Sequence, residues 1–322
     1  MIFIMDCWSF AHHATMIAAF FLLILCGIVM TGRPCHANEF DGTKSVRQVA
    51  PDVIEIRLGE MKVAEYRFGE KLRKPRLSPV FGPDGKPITA DEPADHLHHH
   101  GVWLGYHLVN GHDFWTERKP GNNLRHERFI RIFDEPECPR FVARTAWEAS
   151  GTPVMYDERT FRFHALDNGD YVIDVTVVLK TESDTVTIGR TKEAGLPAVR
   201  VADEIRVTAG GRIVNSEGGV NERGTMHKRA RWLDYCGKRD DGSWVGIAYF
   251  PHPDNRDYPP YWFVRDWGWF APNHTLWAEP ITLTPDKPFT VRCRLLVHRG
   301  NTEDARVEER FKEYLAKIKA PD

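Results

Sequence analysis

Cysteine is scarce where it would matter. Six occur in 322 residues, and three of them (Cys7, Cys26 and Cys35) fall before residue 36. The remaining Cys138, Cys236 and Cys293 are odd in number and far apart, so at most one disulfide can form and no zinc-ribbon spacing exists. None of the three sits in a motif that would support a thiol nucleophile. An excess of either charge is also missing: 43 basic and 45 acidic residues are spread along the chain, for a formal net charge of -2. There is no basic stripe for phosphates and no polybasic membrane patch, which argues against nucleic acid as a partner. No repeat of fixed period and no low-complexity linker divides the chain. The 42% apolar and 27% charged content is that of a globular protein able to bury a substantial core.

One long apolar run is present. "TMIAAFFLLILCGIVMTG" (15–32) carries no charge and is followed by "RPCHA" and an abruptly polar chain. Residues 1–37 read as a secretory signal peptide cut after Ala37, with an uncleaved membrane anchor as the alternative, since the run approaches the roughly 20 residues that span a bilayer. A lipoprotein site at Cys26 would need a small residue where Leu25 stands. Either reading places the protein outside the cytoplasm, periplasmic or extracellular, with membrane contact only through this segment if it stays uncut.

From residue 50 onward the dominant signal is alternation. "VIEIRL" (53–58), "MKVAEYRF" (61–68), "RTFRFHAL" (159–166), "YVIDVTVVLKT" (171–181) and "FTVRCRLLVH" (289–298) put an apolar residue at every second position, the mark of half-buried strands. Turn chemistry separates them, most clearly Asn168-Gly169 between two alternating runs. Helical period occurs once: Val307, Phe311, Tyr314, Leu315 and Ile318 form a stripe that predicts a terminal helix over 302–319. The expected architecture is all-β: one domain over 38–322, a large antiparallel two-layer β-sandwich with a C-terminal α-helix.

Four segments carry residues suited to chemistry, the last two of them taken together. "DHLHHHGVWLGYHLVNGHDFW" (95–115) holds six of the 15 histidines. On an extended backbone His96, His98 and His100 would share a face, with Asp95 and His99 opposite. Two such histidines, His96 and His98, begin a divalent-metal site, and the same imidazoles could serve as acid/base groups or simply hydrogen-bond to nearby loops. The second segment, "FPHPDNRDYPPYWFVRDWGWFAPNHTLW" (250–277), mixes His252, Asp254, Asn255, Arg265 and four tryptophans including Trp262. Dense aromatics among polar side chains are what a saccharide subsite uses, an indole stacking on the ring while polar groups bind hydroxyls. The alternative is a loop packing its own tryptophans. Third, "RTKEAGLPAVRVADEI" (190–205) and "GTMHKRARWLDYCG" (224–237) offer Glu193 and His227, an acid and an imidazole that distant strands could bring together.

These segments, together with "KPRLSPVFGPDGKPIT" carrying Arg76, resemble the bacterial exported domain family labelled methane oxygenase PmoA, over most of residues 50–298. The family pattern runs Asp-His-x-His-His, a basic residue, then Gly, Trp, Asn-Gly and Asp-Phe-Trp. Asp95, His96, His98, His99, Gly101, Trp103, Asn110, Gly111, Asp113, Phe114 and Trp115 match it, while His100 stands where Arg or Lys is usual. The label fits poorly, because a particulate methane oxygenase subunit is a multi-helix membrane protein, whereas this chain turns to alternating strands after one apolar run. A galactose-mutarotase-like sandwich is the fold the resemblance implies, with a concave sheet that binds saccharide and presents a histidine and a carboxylate.

The resulting expectation is an exported carbohydrate-active enzyme, an epimerase, lyase or hydrolase acting on a sugar or glycoside. His96, His98, His99, Glu193 and His227 are its candidate catalytic residues. Arg76, Trp103, Asn110, Asp113, Trp115, His252, Asp254, Asn255, Trp262 and Arg265 are candidates for substrate binding. One divalent metal would sit at His96 and His98. A non-catalytic saccharide-binding or scaffold protein of the cell envelope is the alternative, and a copper-dependent oxygenase, as the label implies, the outsider.

Overall fold

A computed structural model describes residues 45–319, and the expected leader over 1–37 lies outside the described residues. In chain order the strands are β1 (Val46–Ala50), β2 (Val53–Leu58), β3 (Met61–Arg67), β4 (Arg76–Val80), β5 (Val102–Tyr106) and β6 (Asn122–Phe133). There follow β7 (Arg140–Ala149), β8 (Thr152–Ala165), β9 (Tyr171–Lys180), β10 (Val186–Ile188), β11 (Ala194–Arg200) and β12 (Arg212–Asn215). The short helix α1 (Asn221–Thr225) precedes β13 (Leu233–Lys238), β14 (Trp244–Pro251), β15 (Tyr261–Arg265), β16 (Trp269–Asn273), β17 (Ile281–Leu283) and β18 (Phe289–Arg299), and α2 (Val307–Lys319) ends the described chain.

Two antiparallel eight-stranded sheets result, in the orders β1-β2-β3-β4-β5-β11-β16-β15 and β12-β13-β14-β18-β9-β8-β7-β6, with β10 and β17 paired separately. Alternation explains the layering. In β9, Tyr171, Ile173, Val175, Val177 and Leu179 enter the core between the sheets, while Val172 emerges on the other face and meets α2. In the first sheet Val102, Leu104, Val199, Val264 and Phe270 face the core, and Trp103, Ala198, Phe263, Trp269 and Ala271 form a separate aromatic cluster on its outer face. The architecture expected from alternation, an all-β two-layer sandwich closed by a terminal helix, is the one observed.

The Asn168-Gly169 hairpin joins β8 to β9, with Gly169 at φ 82°, a conformation glycine adopts without strain. The terminal helix is shorter than expected. Asn301 Oδ1 accepts the amides of Glu303 (2.9 Å) and Asp304 (3.0 Å), and Arg306 takes φ 52°, so 301–306 close a turn of their own before helix begins at Val307. Val307, Phe311 and Tyr314 then bury against Val172, Ala248, Phe250 and Leu296 on the outer face of the second sheet. Cys138, Cys236 and Cys293 are free thiols.

One buried ion pair links the sheets. Asp157 on β8 accepts Trp147 Nε1 (2.7 Å) and Arg159 Nε (2.7 Å), and Arg159 Nη1 donates to the Pro75 carbonyl (3.2 Å) at the entrance to β4. All three side chains are fully buried.

Candidate active site

The outer face of the first sheet carries a cleft of about 380 Å³ lined by, among others, His96, His98, Trp115, Glu193, Arg265 and Trp267. The strands supply its floor by parity: Trp103 and Gly105 of β5 point outward together, and a side chain added at Gly105 would meet Trp115 Cε3 at 3.2 Å. The turn between β15 and β16 raises Trp267 as one wall, and the residues entering β11 place Glu193 on the lining.

The histidine segment is not extended. His96 and His99 donate backbone amides to Pro93 and His96 (both 2.9 Å), turning the chain so that His96, His98 and His99 all reach the cleft. The expected separation of His99 from His96 and His98 is therefore corrected, and so is the grouping of His100 with them. His96 stacks on Trp267 with centroids 4.3 Å apart and planes 12° from parallel, and His99 lies beside both, 4.7 Å from His96 and 5.7 Å from Trp267. His98 meets His99 edge-on at 4.6 Å. The loop is pinned at its start by buried Arg200, which holds both Asp95 oxygens at 2.8 Å and lies over the Trp267 ring at 4.7 Å.

Burial, reinforced by the Lys74 ammonium nearby, pulls His98 down to about 4. Burial and the adjacent imidazoles hold His99 far below the ordinary range. Both rings are consequently neutral at physiological pH; His98 can take up a proton, while its surroundings strongly oppose protonation of His99. His99 Nδ1, Trp103 Nε1 and Trp269 Nε1 are buried polar atoms without a hydrogen-bond partner among the described residues, and His99 and Trp269 line the cleft.

Beneath the loop runs a chain of charged side chains. Lys74, 1% exposed, donates to the Trp115 carbonyl (2.6 Å) and pairs with Glu117 Oε1 (2.8 Å). His100, fully buried, lies 2.9 Å from Glu117 Oε1 through Nε2 and 2.9 Å from Asp91 Oδ1 through Nδ1. Arg76 closes the chain on Asp91 Oδ2 and Glu92 Oε1, each at 2.9 Å. Burial opposes ionisation of Glu117, but the hydrogen bond from His100 and the Lys74 charge outweigh it and hold the carboxyl at about 2. Burial lowers Lys74 to about 8, with Glu117 opposing the drop. Arg76, expected to touch substrate, is thus committed to two carboxylates in support of the loop. His100 lies within hydrogen-bond distance of two carboxylates, one at each ring nitrogen. Replacing His100 with Ala removes a donor shared by Asp91 and Glu117 and should lower unfolding free energy by about 1–3 kcal/mol, read by urea denaturation. An unchanged midpoint would contradict the supporting role.

His96 and His98 rings meet edge-on at 5.7 Å, whereas the three donors that gather within 4.8 Å among the described residues belong to Asp91, Glu92 and His100. That trio is already occupied by Arg76 and by its own Asp91–His100 contact, so its chemistry is that of an ion-pair network.

Other expected residues divide. Asp113 lines the cleft, but its carboxylate accepts the amides of Trp115 (2.7 Å) and Thr116 (3.0 Å) and the Thr116 hydroxyl. Trp103 lies under the floor at 1% exposure. Asn110 sits at φ 47° and accepts the Thr187 amide at 2.7 Å, a turn residue outside the lining. His227 is exposed, its ring 5.4 Å from Phe263 and outside the lining. Trp262 is fully buried between the sheets, donating to the Ala230 carbonyl at 3.0 Å, while its neighbours Phe263 and Arg265 face the cleft. His252, Asp254 and Asn255 are remote: β14 ends at Pro251 in the second sheet, and the chain crosses to the first only at β15. His252 packs 6.2 Å from Tyr314 of α2, Asn255 clamps the Arg292 backbone at 2.7 and 2.8 Å, and Asp254 is exposed.

Residues 53–312 match a family described as "Family of unknown function (DUF6807)". The chain belongs to DUF6807. The matched span holds every cleft residue named above. No curated protein matches the chain. Among solved structures it is similar to "Putative kojibiose phosphorylase from human microbiome", at 10% identity and a TM-score of 0.38, covering 86% of this chain and 36% of that one. The DUF6807 chain thus spans little more than a third of that protein's length.

Several DUF6807 cleft residues escaped the reading of the sequence. His107 continues the outward parity of Trp103 and Gly105 and was legible from it. Arg118 and Lys119 stand in an irregular turn where no period marks them. Lys74 and Glu117 have no local signal at all, since each is defined by a partner 43 positions away.

Proposed function

We propose that this DUF6807 protein is an exported carbohydrate-active enzyme that moves a proton at a sugar ring. The observation that carries the reading is that neutral His98 and Glu193 line the same cleft, together with the indoles of Trp115, Trp267 and Trp269. Aromatic faces bind the apolar face of a sugar, and the surrounding polar groups fix its hydroxyls. An unprotonated imidazole can take a proton from the ring and return it as imidazolium, and the Glu193 carboxylate can likewise accept a proton and, once protonated, give it back.

Ordinary glycoside hydrolysis uses two carboxylates flanking the bond. Here Asp113 is taken up by three donors of its own turn, leaving Glu193 alone with the imidazoles. That favours an epimerase or lyase, in which a ring proton is removed, over a hydrolase. The test is incubation with a panel of saccharides in deuterium oxide followed by NMR. Solvent deuterium should enter one ring position. Binding without exchange, cleavage or epimerisation would leave a saccharide-binding protein and overturn the enzymatic reading.

The pH dependence follows. With His98 at about 4, kcat/KM should rise through pH 4 as pH increases, instead of through the 6.5 of a free imidazole. Stability shares the sign. The folded state disfavours protonated His98, so its contribution is complete above pH 6.5 and is lost as pH falls toward 4. Thermal melts over that interval should fall less steeply for His98→Asn than for the unaltered protein.

A further inference from the structure

We infer that the ligand of this cleft is an acidic saccharide, its carboxylate or sulfate held at the rim by Arg118, Lys119 and Lys192. The inference rests on the saccharide reading and narrows it to a substrate class.

The charge balance of the lining carries the argument. Four cations, Arg118, Lys119, Lys192 and Arg265, share it with two carboxylates, Asp113 and Glu193. Arg265 is paired with Glu222 of α1. Asp113 is consumed by Trp115 and Thr116. Beneath the cleft, Lys74 is balanced by Glu117, and Arg200 by Asp95. What remains is Arg118, Lys119 and Lys192, with no ion pair among the described residues, against Glu193 alone.

The whole chain has a formal charge of -2, so three cations against one carboxylate is a local excess; elsewhere on the sheets some cations sit against carboxylates, Arg144 with Glu127 and Glu182 and Arg294 with Asp174, while others such as Arg131, Arg162 and Lys238 also stand without an ion pair among the described residues. The three unpaired cations come from two separate segments, the turn after Trp115 and the entry to β11, and converge on one concavity. Low-dielectric aromatic walls focus such a field into the cleft and raise the local concentration of anions. A neutral sugar needs only ring faces and hydrogen bonds, and makes no use of it. Two kinds of acidic sugar offer the same chemistry, a uronate with its planar carboxylate and a sulfate ester.

The test compares three oligomers of equal length by calorimetry on the purified protein: galactose, galacturonate and sulfated galactose. At low ionic strength one acidic oligomer should bind about tenfold more tightly than the neutral one, the combined effect of three partly exposed charge pairs. The preference should shrink as salt rises. Which acidic oligomer wins identifies the anion. The triple variant Arg118→Gln/Lys119→Gln/Lys192→Gln should bring acidic and neutral affinities together. Equal binding of all three oligomers, or a preference that survives the triple substitution, overturns the inference and leaves the saccharide reading standing. If no saccharide binds at any ionic strength, the saccharide reading fails and this inference with it.

Discussion

Replacing His98 with Ala should reduce turnover by about 10²–10⁴-fold, the contribution of a positioned acid/base group, while far-ultraviolet circular dichroism stays that of the unaltered protein. The folding half of this expectation follows from the bonding: the loop is held through the His98 carbonyl, 3.4 Å from Lys74 Nζ, and not through its ring. Glu193→Gln should give a loss of similar order, because Gln keeps the shape and can neither take up nor return a proton. Its backbone contacts, the amide to Thr191 Oγ1 at 3.1 Å and the carbonyl to the His107 amide at 3.0 Å, survive the change. Trp267→Ala should act differently, raising KM more than it lowers kcat, since the indole contributes stacking to ground state and transition state alike. If His98→Ala turned over substrate at the original rate, His98 would be part of the wall and not the base.

The largest effect on stability should come from Asp157→Ala. It strands the Arg159 guanidinium in the core and removes the acceptor of Trp147 Nε1, both fully buried. Breaking such a pair from one side costs about 3–5 kcal/mol, a drop in Tm on the order of 10 °C for a domain of this size. The site should feel it, because Arg159 also reaches the Pro75 carbonyl, next to the lysine that supports the histidine loop. Removing both charges with Asp157→Leu/Arg159→Met should recover a large part of the loss, since well-packed apolar residues replace a buried pair at little cost. A double variant no better than Asp157→Ala would mean that packing, not the stranded charge, sets the penalty.

The sandwich was legible because each strand has one face in the core and writes that fact at every second residue, as in "YVIDVTVVLK". Parity is where the same signal runs short. In "YWFVR" two aromatics are adjacent, and nothing local says that Trp262 goes to the core and Phe263 to the cleft. Pairing with β16, and through it the placing of the whole strand in the first sheet, decides that. The histidine segment misled for a related reason. Its alternate spacing imitates a strand, but Arg200, 105 positions along, captures Asp95 and the backbone turns. His252 and Asn255 lie away from this cleft, which composition does not reveal, because the chain changes sheets between Pro251 and Tyr261. Glu193, His98, Trp115 and Arg265, by contrast, were found in the sequence and line one cleft.

The most direct measurement is a crystal structure of the protein with a bound acidic oligosaccharide. A sugar ring lying against Trp267 or Trp115, with His98 and Glu193 in contact with it and its anionic group toward Arg118, Lys119 and Lys192, is the predicted result. A sugar seated elsewhere, for instance in the groove beside His252 and Tyr314 under α2, with the histidine cleft left empty, would contradict it.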